Sequence, residues 1–314
     1  MTTPSPELFA WAGLIAAIAV LLTLDLRFMR GRDGAMTSRT AAVASAFWIG
    51  LALAFGGLLA LTSGGADASA YLAGYLVEKS LSLDNVFVFL LVFGAFEVAA
   101  KERHRLLTYG IVGALVLRLG FILVGAAALS AFGWLELVFA AILIWTGWRL
   151  WGGRHDHEAE AKLVARVRQR LPIAARNDAP GWLTREDGRR VLTAAGAVLA
   201  TLVIVDVVFA IDSVPAILAI TDDAYIVFAA NAFALLGLRP LFFLVADLVE
   251  RLYYLKAALA VLLVVIGAKM AASFWIGKVG PEITLPMIAS ILGAGVVASL
   301  VRRSRTPPDP EPIT

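Results

Sequence analysis

At 314 residues, with 60% hydrophobic and 16% charged side chains, the chain is far more apolar than a soluble domain of that length. Its mean hydropathy is +0.84, and the absence of cysteine excludes disulfides and thiolate metal sites. A formal charge of +3 suits a polyanion partner only where the cations share a folded face, and their distribution along the chain argues for another cause.

Hydropathy predicts nine membrane-spanning helices, at about 8–28, 41–61, 71–96, 106–129, 134–151, 191–220, 225–246, 257–276 and 283–301. The expected fold is an all-α polytopic membrane protein with a single transmembrane domain over residues 1–301. No basic segment precedes the first apolar run, so it reads as a retained span and not as a cleaved signal peptide. Asp25 ends that span beside Arg27, with which an interfacial ion pair is expected. A hydrophilic linker, 152–190, follows the fifth span. It opens on His155-Asp156-His157-Glu158, read as a solvated charge run, since such short tracts are weak metal signals. The basic, Pro-rich tail, 302–314, reads as disordered.

Orientation follows from lysine and arginine. With the N-terminus outside, 22 of the 27 cations fall in inner loops and span ends, and only Lys278 lies outside. The C-terminus and the linker are then cytoplasmic. The high pI is a topology signal, and no nucleic-acid partner is expected.

The remaining four cations, Lys79, Arg118, Arg239 and Lys269, fall within spans, where they face four acids: Glu78, Asp84, Asp206 and Asp212. Even on a lenient scale, a carboxylate at the bilayer centre costs roughly 2.5–3.5 kcal/mol. Glu78-Lys-Ser-Leu-Ser-Leu-Asp84-Asn85-Val and Asp206-Val-Val-Phe-Ala-Ile-Asp212-Ser213-Val share one pattern, 128 residues apart. Further matches follow in order. Leu117-Arg118-Leu119 is echoed by Leu238-Arg239-Pro240, and Gly147 by Gly267, with Arg-to-Gly intervals of 29 and 28 residues. Three spans (third to fifth, about 71–151) are thus repeated by three (sixth to eighth, about 191–276). An odd number of spans inverts the second copy, which predicts a 3+3 inverted-topology repeat with an ion site at the repeat interface.

Six residues turn a helix by about 600° and advance it by about 9 Å, so the two acids of one motif cannot chelate one ion from an unbroken helix. Pro215 suggests an unwound segment beside Asp212. Asp84, Asp212, Glu78, Asp206, Asn85 and Ser213 are the candidate metal ligands. Arg118 and Arg239 are expected near Asp84 or Asp212 as compensating charges. Lys79 and Lys269 are expected to snorkel toward an interface. Oxygen ligands suit hard cations such as Mn²⁺, Mg²⁺ or Ca²⁺. The histidines, His104, His155 and His157, fall in cytoplasmic segments. Asn231 is a further oxygen ligand or a helix–helix hydrogen-bonding group.

The two acidic motifs, Asn231-Ala-Phe-Ala-Leu-Leu-Gly-Leu-Arg239, and Tyr254-Leu-Lys256 with Ile266-Gly-Ala-Lys269-Met resemble the TerC family. That family is named for tellurium resistance and includes Alx-type proteins of the LysE transporter superfamily. The resemblance runs from about Leu8 to Val301. It implies a bacterial inner-membrane protein that exports manganese, and it carries a path or coordination role to Glu78, Asp84, Asn85, Asp206, Asp212 and Ser213. No permanently bound cofactor is expected: Mn²⁺ is the substrate, and the bilayer is the only other partner implied, with self-association left open. Proton exchange would drive the export. The alternatives are an oxyanion (tellurite) transporter using the two arginines, and a scaffold or metallation partner for secretion complexes. The chain shows no nucleophile–base constellation, so an enzyme is not expected.

Overall fold

Inside hydrocarbon each backbone N–H and C=O must find its partner within its own segment, and the chain is accordingly helical. The computed structural model describes residues 6–29, 37–152, 157–174, 181–186, 188–245, 254–277 and 279–305. Helices stand at all nine predicted places: α1 (Pro6–Met29), α2 (Ser38–Thr62), α3 (Gly65–Ala95), α4 (Ala100–Ala131), α5 (Leu135–Gly152), α7 (Ala194–Leu218), the pair α8 (Ala224–Leu236) and α9 (Leu238–Val245), α10 (Leu255–Ile276) and α11 (Pro281–Arg305). Eight segments, with α8 and α9 taken together, are long and apolar enough to cross a membrane. The remaining one, α3, is 31 residues long, and every membrane-length stretch of it contains Glu78, Lys79 and either Asp67 or Asp84.

Four helices form the centre. α3 packs on α7 and α8, and α4 packs on the same two. In α8 every residue from Ile226 to Leu236 is buried. Its alanines, Ala229, Ala230, Ala232 and Ala234, are fully covered, and such small side chains let backbones approach closely where water supplies no driving force. Gly74 of α3 is part of that approach: a methyl there would lie 3.0 Å from Ile217 of α7 and 3.2 Å from Ala230 of α8. α5 and α10 form a tight pair beside this centre, and α11 packs on α3 and α10. α1 is peripheral. It meets α8 through Trp11, whose ring lies 5.5 Å from Tyr225 and 5.9 Å from Phe228.

The linker is more structured than its composition suggested. It contains α6 (His157–Arg170) and a hairpin, β1 (Leu183–Glu186) and β2 (Arg189–Leu192), in antiparallel register with Arg185 opposite Arg190. Val164 buries one face of α6, and α6 packs on α3 and α7. The Trp182 carbonyl accepts from Thr193 N–H at 3.1 Å, and Thr193 caps α7 through Gly196 N–H. The hairpin is therefore tied to the start of α7 by the same residue that begins the helix. His155 and Asp156 lie outside the described residues, as does the tail from 306 onward. The first basic residues of that tail, Arg302, Arg303 and Arg305, fall within α11.

Candidate functional site

One charged network lies at the crossing of the four central helices. Glu78 comes from α3, Arg118 from α4, Asp206 from α7 and Asn231 from α8, and none is more than 2% exposed. The Arg118 guanidinium bridges the two acids. Its Nη1 donates to Glu78 Oε1, Nη2 to Asp206 Oδ1 at 3.2 Å, and Nε to Asp206 Oδ2 at 3.5 Å. The side-chain amide of Asn231 closes a ring. Its Nδ2 donates to Glu78 Oε2 at 3.2 Å, while its Oδ1 accepts from Arg118 Nη1 at 3.3 Å. Both faces of the amide are used, which pins it between the charges. Buried charges persist only where paired and hydrogen-bonded, and this ring meets that requirement.

The acids that meet are the first members of the two motifs. Within one motif the two acids are separated along an unbroken helix, as the geometry of a regular helix requires. α3 runs unbroken through Glu78 and Asp84. α7 runs unbroken through Asp206 and Asp212 and contains Pro215, so the expected unwinding beside Asp212 does not occur. Pro215 lies one turn from the helix end, and its carbonyl accepts from Ala219 N–H at 2.9 Å. A proline there removes one donor without breaking the ladder that follows.

Asp212 is half-buried and lies within Coulombic reach of Glu78 and Arg118. Ser213, beside it, is 1% exposed, and its hydroxyl has no hydrogen-bond partner among the described residues. Asn85 is buried on α3. The side chain of Asp84 lies outside the described residues. Among the described residues, no three Asp, Glu or His side chains converge closely enough to hold a metal ion.

The expectation for the arginines changes in its partners. Arg118 makes its ion pairs with Glu78 and Asp206, with Asp212 within its Coulombic reach. Arg239, in the first turn of α9, pairs with Asp25 of α1 at 2.5 Å, and its Nε donates to His104 Nδ1 of α4 at 2.9 Å. Asp25 thus meets an arginine 214 residues away. His104 stands within α4, which begins at Ala100. Spacing alone held no signal for either contact, since each partner comes from a different helix.

The lysines do not simply snorkel. Lys79 Nζ donates to the Ala234 carbonyl at 3.2 Å, in the last turn of α8, which Gly237 caps. Lys269 Nζ donates to the Ala219 carbonyl at 3.3 Å, just past the end of α7, and to Thr284 Oγ1 at 2.8 Å. Each ammonium meets the carbonyl-rich end of another helix, where carbonyl oxygens lack backbone donors and the dipole favours a cation.

The profile of the integral membrane protein TerC family matches residues 63–307. The chain belongs to the TerC family. This TerC protein is 40% identical over 299 residues to the Myxococcus xanthus membrane protein STKORF319, covering 95% of the chain and 93% of the relative. It is 41% identical over 272 residues to Alx of Escherichia coli (strain K12), covering 83% and 84%. With the chloroplastic thylakoid membrane protein TERC of Arabidopsis thaliana it shares 37% identity over 270 residues, 85% of the chain and 70% of the relative. No solved structure matches the chain. The TerC match spans α3 to α11 and therefore contains all four members of the buried network.

Proposed function

We propose that this TerC protein is a secondary transporter of the bacterial inner membrane that exports a divalent metal ion, manganese, in exchange for protons. One observation carries the reading: Glu78 and Asp206, equivalent positions of two similar motifs, meet at the fully buried centre of the helix bundle. Acids at that depth cost free energy and are kept for ion or proton pathways by default. Asp212, Asp84, Asn85 and Ser213 extend the oxygen set along α3 and α7. The Ser213 hydroxyl, buried and without a hydrogen-bond partner among the described residues, supports this extension, since a buried hydroxyl left unsatisfied costs about 1–3 kcal/mol.

Such an oxygen-only set suits Mn²⁺, Mg²⁺ or Ca²⁺. A carboxylate must be ionised to take a metal, so metal binding would displace any proton these acids hold, which supports proton exchange. The 3+3 inverted repeat is part of the reading, with the N-terminus outside. It is supported by the packing, in which α4 meets α7 as α3 meets α8. An oxyanion cargo is disfavoured, because Arg118 is held by two acids that would repel an anion.

Purified protein in proteoliposomes should carry Mn²⁺ down an imposed gradient, and Asp206→Asn and Glu78→Gln should each stop the flux. Wild-type flux no greater than that of protein-free vesicles would remove the transporter reading and favour a scaffold.

A further inference from the structure

Resting on the transport reading, we infer that Arg118 is a tethered stand-in for the cargo. Its guanidinium occupies the cation position between Glu78 and Asp206, so metal and Arg118 exclude one another. The geometry is that of a plug more than of an ordinary lock between two helices. A lock needs one acid and one base, whereas Arg118 spans acids from two different helices and is the cation in contact with both. Its Nη1 is shared between Glu78 and Asn231, and the three donors directed at the acids leave little room for a second cation there.

Charge permits the exchange. With both carboxylates ionised, the two acids and Arg118 carry a net charge of −1, and the two acids with a divalent cation carry zero. The displaced guanidinium keeps its +1, so the exchange requires Arg118 to move to another acid, since uncompensated charge is costly in a low-dielectric centre. Asn231 can follow the exchange without moving far. Its Oδ1, now accepting from Arg118, is an oxygen a hard cation can use, and its Nδ2 keeps Glu78 in place. The return of Arg118 then expels the metal. A site with four buried oxygens and no competing cation would hold its cargo too tightly to release it, and the plug lowers that affinity to a level compatible with turnover.

Mn²⁺ binding to purified protein in lipid nanodiscs tests this, alongside flux in proteoliposomes. Arg118→Gln should bind Mn²⁺ about tenfold more tightly or better, while its flux falls to background. Arg118→Lys keeps the charge on one point instead of a fork, so it should bind with intermediate affinity and retain slow flux. Where Arg118→Gln does not fold, Arg118→Lys carries the test. Affinity equal to or weaker than wild type in the folded variants overturns the plug and leaves transport standing. A wild type that neither binds nor carries Mn²⁺ instead removes the transport reading itself.

Discussion

Gly147 of α5 and Gly267 of α10 face each other's helices in reciprocal fashion. A methyl on Gly147 would lie 2.7 Å from the Ala260 carbonyl oxygen and 2.8 Å from Val264. A methyl on Gly267 would lie 2.9 Å from the Ala140 carbonyl oxygen and from Ile144. Gly147 follows Ala140 by the interval at which Gly267 follows Ala260, and the same holds for Ile144 and Val264. Exchanging the two helices therefore reproduces the contact, as a two-fold relation between the proposed repeats requires.

This reciprocity makes a paired prediction. Gly147→Ala and Gly267→Ala should destabilise the protein by similar amounts, about 1–3 kcal/mol each, because the new methyl meets a backbone carbonyl that cannot rotate away. Thermal unfolding in detergent would measure it. A large loss for one and none for the other would break the symmetry argument.

The second buried arginine gives an independent test. Arg239 is 1% exposed, between Asp25 and His104. Removing one partner of a buried pair costs about 3–5 kcal/mol, so Arg239→Ala should sharply lower the yield of folded protein. Asp25 is 13% exposed against 1% for Arg239, so water reaches the acid left by Arg239→Ala more readily than the guanidinium left by Asp25→Asn, and Asp25→Asn should cost at least as much. Equal yields for Arg239→Ala and wild type would show that the node contributes nothing to the fold.

Proton linkage follows from the ligands. On the proposed exchange, protons held in the Asp84/Asp212 set would compete with Mn²⁺ there, so apparent Mn²⁺ affinity should rise with pH and level off once those acids are ionised. Binding should release protons, seen as different apparent enthalpies in two buffers of unlike ionisation enthalpy. Asp84→Asn and Asp212→Asn should each abolish export while leaving the protein folded. A pH-independent affinity would take proton exchange out of the mechanism.

Orientation is tested by reporter fusions. Those at Ala66 and Asp222 should read outside and one at Asp178 inside, from the distribution of lysine and arginine. A cytoplasmic Asp222 would remove the inverted repeat, since α7 would then not cross in the sense opposite to α3.

Much of this was legible in the chain by itself. Membrane helices satisfy their backbones internally, so hydropathy and length alone locate them, and the ends of the nine predicted places match α1–α5 and α7–α11 to within six residues. The cost of an intramembrane acid also singled out Glu78, Asp84, Asp206 and Asp212 before any contact was known. What sequence could not decide is which helix meets which. Glu78 reaches Asp206 through Arg118, and Asn231 binds both Glu78 and Arg118, across intervals of 40, 88, 113 and 153 residues. Arg239 meets Asp25 and His104 for the same reason. Along one helix, neighbours are set by a fixed turn of about 100° per residue, but between helices they depend on small-residue packing such as that of Gly74 against Ala230. That packing is a property of the assembled bundle, and only the tertiary structure decided it.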